Sequence, residues 1–241
     1  MVVRAAAVLA VGIALGTYSA VADRFPALPD WGDVAFLALV VMPAMFALVW
    51  LALPFREPLG PAGLGVAALV LALLAVLLSV AEFAIAANFA KLAAATVVGW
   101  WFLSFFEAPT WVVLVALLII PVDLYSVARG PTREITENQP QVFDALSVFM
   151  RILGEKTSAQ LGLPDVLFFA LFLGATVRFT LRTAPTWLLM TLSFGATLAI
   201  AVASDRAGVA ALPLLSAAFV IVNADLLWRE RRRWSEGKIS E

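Results

Sequence analysis

An all-α, polytopic transmembrane helical bundle is the fold that the sequence predicts, on three observations. Hydrophobic residues make up 63% of the chain and charged residues 14%, against roughly 45–50% and 25% in soluble domains. Apolar runs near 20 residues recur along its length, the length that crosses ~30 Å of hydrocarbon at ~1.5 Å per residue. Clusters of proline, glycine and charge separate those runs.

Taken in order, the apolar runs place eight spans at about 4–22, 34–53, 62–82, 89–106, 109–128, 162–181, 185–203 and 207–228. Pro26, Pro29 and Asp30 end the first connection, and Pro54, Pro58, Gly60 and Pro61 form the second. Asn88 is placed to cap the fourth helix. Glu107-Ala108-Pro109-Thr110 reads as a tight turn with Pro109 at the start of the fifth, where a missing N–H is no loss. Arg182-Thr183-Ala184-Pro185 and Ser204-Asp205-Arg206 make the last two turns. Trp31, Trp100, Trp101, Trp111, Trp187 and Trp228 fall near span ends, as interfacial aromatics do. The first run has a small-residue Ala20-Val21-Ala22 end like a signal peptide; its length and the retained Met1 favour a first span that stays. Residues 1–108 thus form an N-terminal set of helices, 109–228 a second set, and 229–241 a basic tail.

The long connection at 129–161 is the only one of its size. Val142, Phe143, Leu146, Phe149, Met150 and Leu153 within it fit one apolar helical face. They predict an amphipathic helix, either lying in the membrane interface or plugging a site beneath it. Orientation rests on a thin margin. Nine Lys and Arg (Arg4, Arg56, Arg178, Arg182, Arg229, Arg231, Arg232, Arg233, Lys238) share the side of the termini. Seven (Arg24, Lys91, Arg129, Arg133, Arg151, Lys156, Arg206) lie opposite. The Arg229–Arg233 cluster places the C-terminus in the cytoplasm.

Composition also removes chemistry. The chain has no cysteine and no histidine, so thiolate catalysis, disulfides, Ser-His-Asp triads and histidine or cysteine metal sites are excluded. No cofactor or metal is expected, and a net charge of −1 gives no footprint for nucleic acid. Acid–base work falls to Asp, Glu, Lys or Tyr.

Against that background two acids stand out. Asp123 lies inside the fifth span and Asp165 near the start of the sixth. An ionisable group in hydrocarbon is expensive and marks a functional site by default. Asp123 is six residues before Arg129, ~9 Å along a helix, and Asp165 lies a few residues beyond the other end of the same loop. The two are expected at one depth, facing across a helix pair. Two carboxyls so placed share a proton and divide the roles of base and acid between them. Each also has an ordinary reading: Asp165 follows Pro164 at a helix start, and Asp123 can be a boundary acid wetted from the loop. Glu82 and Lys91 read as boundary charges, Asn223 and Asp225 as residues reaching the interface, and Gly63, Gly65 and Gly195 as helix-packing contacts.

The residues around the two acids resemble the presenilin and signal-peptide-peptidase family of intramembrane aspartyl proteases, the GxGD type. Glu107-Ala108-Pro109-Thr110-Trp111, an apolar run, then Asp123-Leu124, Val127 and Gly130-Pro131 is similar to the segment that ends in that family's catalytic Tyr-Asp-Leu. Leu161-Gly162-Leu163-Pro164-Asp165, followed by Phe168 and Phe169, looks like its Gly-x-Gly-Asp helix. Ala210-Ala211-Leu212-Pro213 stands where the family has Pro-Ala-Leu. The resemblance covers roughly residues 100–228. Three positions depart from it: Val122 for tyrosine, Pro164 for glycine and Ala210 for proline. It is the pattern of a divergent, prokaryotic-like member with eight spans rather than nine.

The resemblance implies a presenilin-like catalytic half in a multi-pass protein of a prokaryotic cytoplasmic membrane. It implies cleavage of transmembrane-helix substrates by Asp123 and Asp165. Gly162, Leu163, Pro164, Ala210, Ala211, Leu212 and Pro213 would hold the substrate; Pro213 either leaves the carbonyl four residues upstream free for strand pairing or is an ordinary transmembrane kink. Two other readings stay open: a catalytically inactive relative that binds membrane helices, and a small proton-coupled transporter using the acids as a titrating pair.

Overall fold

The computed structural model describes residues 2–130, 139–204 and 208–237. Pro131, most of the first half of the long connection, the Asp205-Arg206 turn and the last four residues therefore lie outside the described residues. Helices α1 (Val2–Val21), α2 (Asp30–Phe36), α3 (Met42–Ala52), α4 (Gly60–Val80), α5 (Ala84–Leu103) and α6 (Pro109–Arg129) come first. A short α7 (Pro140–Ala145), strands β1 (Ser147–Arg151) and β2 (Ser158–Gly162), then α8 (Leu163–Arg178), α9 (Thr183–Ser204) and α10 (Leu212–Gly237) follow. Six helical stretches are long and apolar enough to cross a membrane: Val2–Arg24, Asp30–Val80, Ala84–Leu103, Pro109–Arg129, Thr183–Ser204 and Leu212–Arg229. This is the build of a multi-pass membrane protein.

The second stretch is two rods. Within the first, α2 and α3 are joined by a π-helical turn, Leu37–Val41. Pro43 explains it: the ring cannot accept a normal helical neighbour four residues back, and widening one turn relieves the clash. Pro54 and Pro58 break the rod into a 3-10 stretch, Leu53–Leu59, and Gly60 (φ 60°) opens α4. Glu82, at φ 61°, turns the chain into α5 and is exposed, as a boundary charge should be.

At the centre stands α8. Phe169, Ala170, Leu171, Phe172, Leu173 and Ala175 have no exposed surface, so this helix is apolar on every side because every side meets protein. Phe169 stacks on Phe46 at 4.0 Å between ring centroids, Phe46 on Phe194 at 4.9 Å, and Phe172 on Phe219 at 4.8 Å. These rings tie α3, α8, α9 and α10 together. Gly99 lets α5 lie against α8: a Cβ there would stand 2.4 Å from the Leu167 carbonyl oxygen. Trp100, expected at the interface, is buried against the Gly174 side of the same crossing.

Short connections alternate the helix directions. The C-terminal ends of α1, α4, α6 and α9 and the N-terminal ends of α5, α8 and α10 meet at one end of the bundle. Arginines finish the other end. Arg56 donates to the Gly174 carbonyl (2.9 Å), Arg178 to Leu103 (2.8 Å) and Arg182 to Val222 (2.7 Å), while Arg182 also forks onto Asp225 at 2.6 and 2.9 Å. Asn223, expected to reach the interface, is fully buried instead. Its amide donates to Thr186 and Phe219 and its oxygen accepts from the Arg182 N–H.

The long connection departs from expectation. No helix spans 142–153. Helix α7 stops at Ala145, and Ser147–Arg151 pairs antiparallel with Ser158–Gly162, Val148 opposite Leu161 and Met150 opposite Ala159. Val148 and Met150 are buried, a period of two rather than 3.6. Nine apolar residues in twelve satisfy either template, and pairing with Ser158–Gly162 decides between them through a turn at Gly154. Gly154 takes φ +71° in the hairpin loop, and a Cβ on it would stand 2.2 Å from the Ala27 amide nitrogen. Any side chain at that position would clash with the α1–α2 connection. Pro213 also differs. Helix α10 begins at Leu212, so Pro213 sits in its first turn, where proline is tolerated, and makes no mid-membrane kink. The helix then runs on through Gly237, taking in most of the expected tail.

Gly99→Ala should therefore force α5 and α8 apart. The expected loss is about 1–3 kcal/mol, the usual penalty for overpacking, read as a lower thermal midpoint in detergent; an unchanged midpoint would refute the tight crossing.

Candidate active site at the paired aspartates

Asp123 is placed by the stripe that α6 turns inward. Pro109, Val112 and Ala116 are the buried positions of this helix and Ile119 packs on the core. Continuing by steps of three and four reaches 123. Its neighbours Val122, Leu124 and Tyr125 are 51–65% exposed on the lipid side. Pro121 supplies no N–H to the Leu117 carbonyl, which loosens the turn that carries the acid. Asp165 is the third residue of α8, just inside a start marked by Gly162 at the N-cap and Pro164 in the first turn.

Each carboxyl meets the open end of a helix. The Leu212 N–H donates to Asp123 Oδ2 at 3.1 Å. That amide is one of the unpaired donors in the first turn of α10, where the helix dipole favours an anion. Asp165 folds back on the Gly162 main chain, the reach of a third-position acid to its own N-cap. The two acids also lie near enough to feel each other's charge. Both are partly exposed. Asp33, 8% exposed on α2, is a further acid at this end, close to Tyr18 and Glu155.

The structure thus gathers the expected residues. Gly162, Leu163 and Pro164 lead into Asp165. Ala211 and Leu212 are buried at the start of α10 beside Asp123, flanked by Ala210 and Pro213. The third segment meets the site through a main-chain amide, an arrangement the one-letter string does not display.

Sequence reasoning missed the residues that hold the hairpin. Asn88 is not a cap. It lies inside α5, donates through Nδ2 to the Phe149 carbonyl at 2.9 Å and accepts from the Phe149 N–H at 2.8 Å. Lys91, one turn on and not at a boundary, donates to the carbonyls of Asp144 (2.6 Å) and Ser147 (3.4 Å). Tyr18 donates to the Arg151 carbonyl at 2.5 Å. The available signal was two polar residues three apart in an otherwise apolar helix. At the loop, the Gly154 N–H donates to the Ala22 carbonyl at 2.9 Å, docking the hairpin on the α1–α2 connection.

Register then fixes which groups remain open. Phe149 turns its main chain outward to Asn88, so Phe149 and Gln160 are a non-hydrogen-bonded pair, and Gln160 turns its N–H and C=O away from β1. The Leu163 N–H to Leu146 carbonyl bond (2.9 Å) follows the same alternation. Among the described residues the Gln160 main chain has no partner, and Gln160 is exposed. The free edge of β2 ends at Gly162, three residues from Asp165.

No protein-family model, curated protein or solved structure matches the chain. The reading of the site rests on its residues and their geometry.

The hydrogen bond at Asp123 separates structure from chemistry. Asp123→Asn keeps an acceptor for Leu212 and should hold stability within about 0.5 kcal/mol, whereas Asp123→Ala strands the amide and should lose about 1 kcal/mol, as N-terminal caps do. Thermal unfolding of both variants in detergent checks this; equal losses would mean that the Leu212 bond contributes nothing.

Proposed function

We propose that the chain is an intramembrane aspartyl protease that cleaves transmembrane helices of other membrane proteins, with Asp123 and Asp165 as its catalytic pair. The observation that carries the reading is their placement. Two acids from different helices come together at one end of the bundle, partly exposed, beside an unpaired strand edge.

In this reading one carboxylate takes a proton from water as the oxygen attacks the scissile carbonyl. The other, protonated, donates to the carbonyl oxygen, and a gem-diol forms. The roles then reverse: the first acid, now protonated, protonates the leaving nitrogen, the second, now a carboxylate, receives the diol proton, and the C–N bond breaks. The helix amides at Leu212 and Gly162 hold the ionised form and fix the rotamers beforehand.

A transmembrane helix keeps all its peptide bonds paired internally, so a substrate must unwind before a carbonyl reaches the acids. Unwinding strands donors and acceptors at several kcal/mol each. The open β2 edge offers them partners next to Asp165, which supports a substrate held as an added strand. The span count of eight and the orientation belong to the same reading. With the C-terminus cytoplasmic, as the Arg229–Arg233 cluster favours, the site opens to the opposite face.

A second reading has its own observation. Both carboxyls are already engaged by main chain, and Pro164 stands where the family it resembles has glycine. A relative that grips membrane helices without cutting them needs no more than this.

Reporter cleavage in proteoliposomes separates the two. Asp123→Asn and Asp165→Asn should each abolish cleavage of a single-span substrate in folded protein, and the double variant should be no worse, because the acids act as a unit. Cleavage retained in either single variant would sink the protease. Pro164→Gly should raise turnover, since glycine permits closer approach of a substrate backbone; equal turnover would show that Pro164 does not restrict access.

A further inference from the structure

A two-stranded hairpin has two outer edges, and this bundle closes one of them. On β1 the outward-facing residues are Ser147, Phe149 and Arg151. Each has its carbonyl taken by a side chain from a neighbouring helix: Lys91, Asn88 and Tyr18 respectively. Asn88 alone supplies both an acceptor and a donor, to the N–H and C=O of one residue. A side-chain amide carries the same C=O and N–H groups as a peptide unit, so Asn88 stands where a third strand would.

We propose that Asn88 is a positioning residue that acts as a surrogate strand: it closes the β1 edge, confines an incoming extended chain to β2, and so sets the register in which that chain reaches Asp165. Strand spacing shows why the choice of edge matters. A chain on β2 lies ~4.8 Å from it, whereas one on β1 lies ~10 Å from β2, too far for the same carbonyl to meet the acids. Lys91 and Tyr18 secure the flanking rungs, but each only donates, so they leave the Phe149 position to Asn88. The substrate side of this proposal rests on the protease reading; the closure of the edge does not.

The test is residue-resolved amide exchange, with and without a single-span peptide carrying a hydroxyethylene group in place of one amide. In the wild-type protein the Phe149 amide should exchange slowly and the Gln160 amide fast, and the peptide should slow Gln160. In Asn88→Ala, Phe149 should exchange fast alone and slow on adding peptide, because both edges then accept a strand. Cleavage of the parent peptide should fall about tenfold in kcat/KM and its product masses should spread over several positions. Asn88→Asp, which keeps the acceptor, should keep Phe149 slow.

Should Asn88→Ala fail to fold, the wild-type exchange pattern decides alone. A peptide that leaves Gln160 fast overturns the proposal, as does an Asn88→Ala protein with unchanged exchange and a single unchanged cut. Wild-type protein that shields Gln160 but never cuts the parent peptide removes the protease while leaving the edge assignment standing.

Discussion

Hydrocarbon offers no hydrogen bonds, so a chain that leaves the helical state near a membrane must satisfy its own main chain. This constraint organises the hairpin end of the bundle. The β1 strand is tolerated there because Asn88, Lys91 and Tyr18 take up its outward groups. Leu212 presents an unpaired helix-start amide and Asp123 answers it. Asp165 answers its own N-cap in the same way. The acids proposed to do chemistry are thus part of how the fold stays closed, which ties their position to stability as well as to reaction.

The opposite end obeys the same rule with the other sign. Arginines there donate to main-chain carbonyls: Arg56 at Gly174 and Arg178 at Leu103, near the ends of α8 and α5, and Arg182 at Val222 within α10. Cations at helix C-termini also complement the dipole. The three arginines that donate to main chain thus stand at the end opposite the two acids.

Local composition made the helices legible. A 20-residue apolar run has few alternatives, and Pro109, Pro29 and Gly60 mark starts that the structure keeps. The inward face of Asp123 was legible too, since 109, 112, 116 and 119 step toward it. Contacts between distant segments were not. Residues 142–153 fit a helical face by count, and only the pairing with Ser158–Gly162, with Gly154 docked against Ala27, selects a strand. Asn88 and Lys91 read as end-of-helix residues because nothing nearby in sequence shows that a hairpin sixty residues on lies beside them. Pro213 read as a kink because the true start of α10 depends on what receives the Leu212 amide.

The length of α8 has a wider consequence. Sixteen residues rise ~24 Å, about 6 Å short of a ~30 Å hydrocarbon layer. Protein meets α8 on every side, so the deficit is not passed to the lipid; it leaves a step over the short end that water can fill. The arginine end is anchored by its carbonyl contacts, so the deficit falls at the other end, where Asp165 begins the helix. The length of this one helix then becomes a control on hydration: another turn at its start would fill the step above Asp165, and a shorter helix would deepen it.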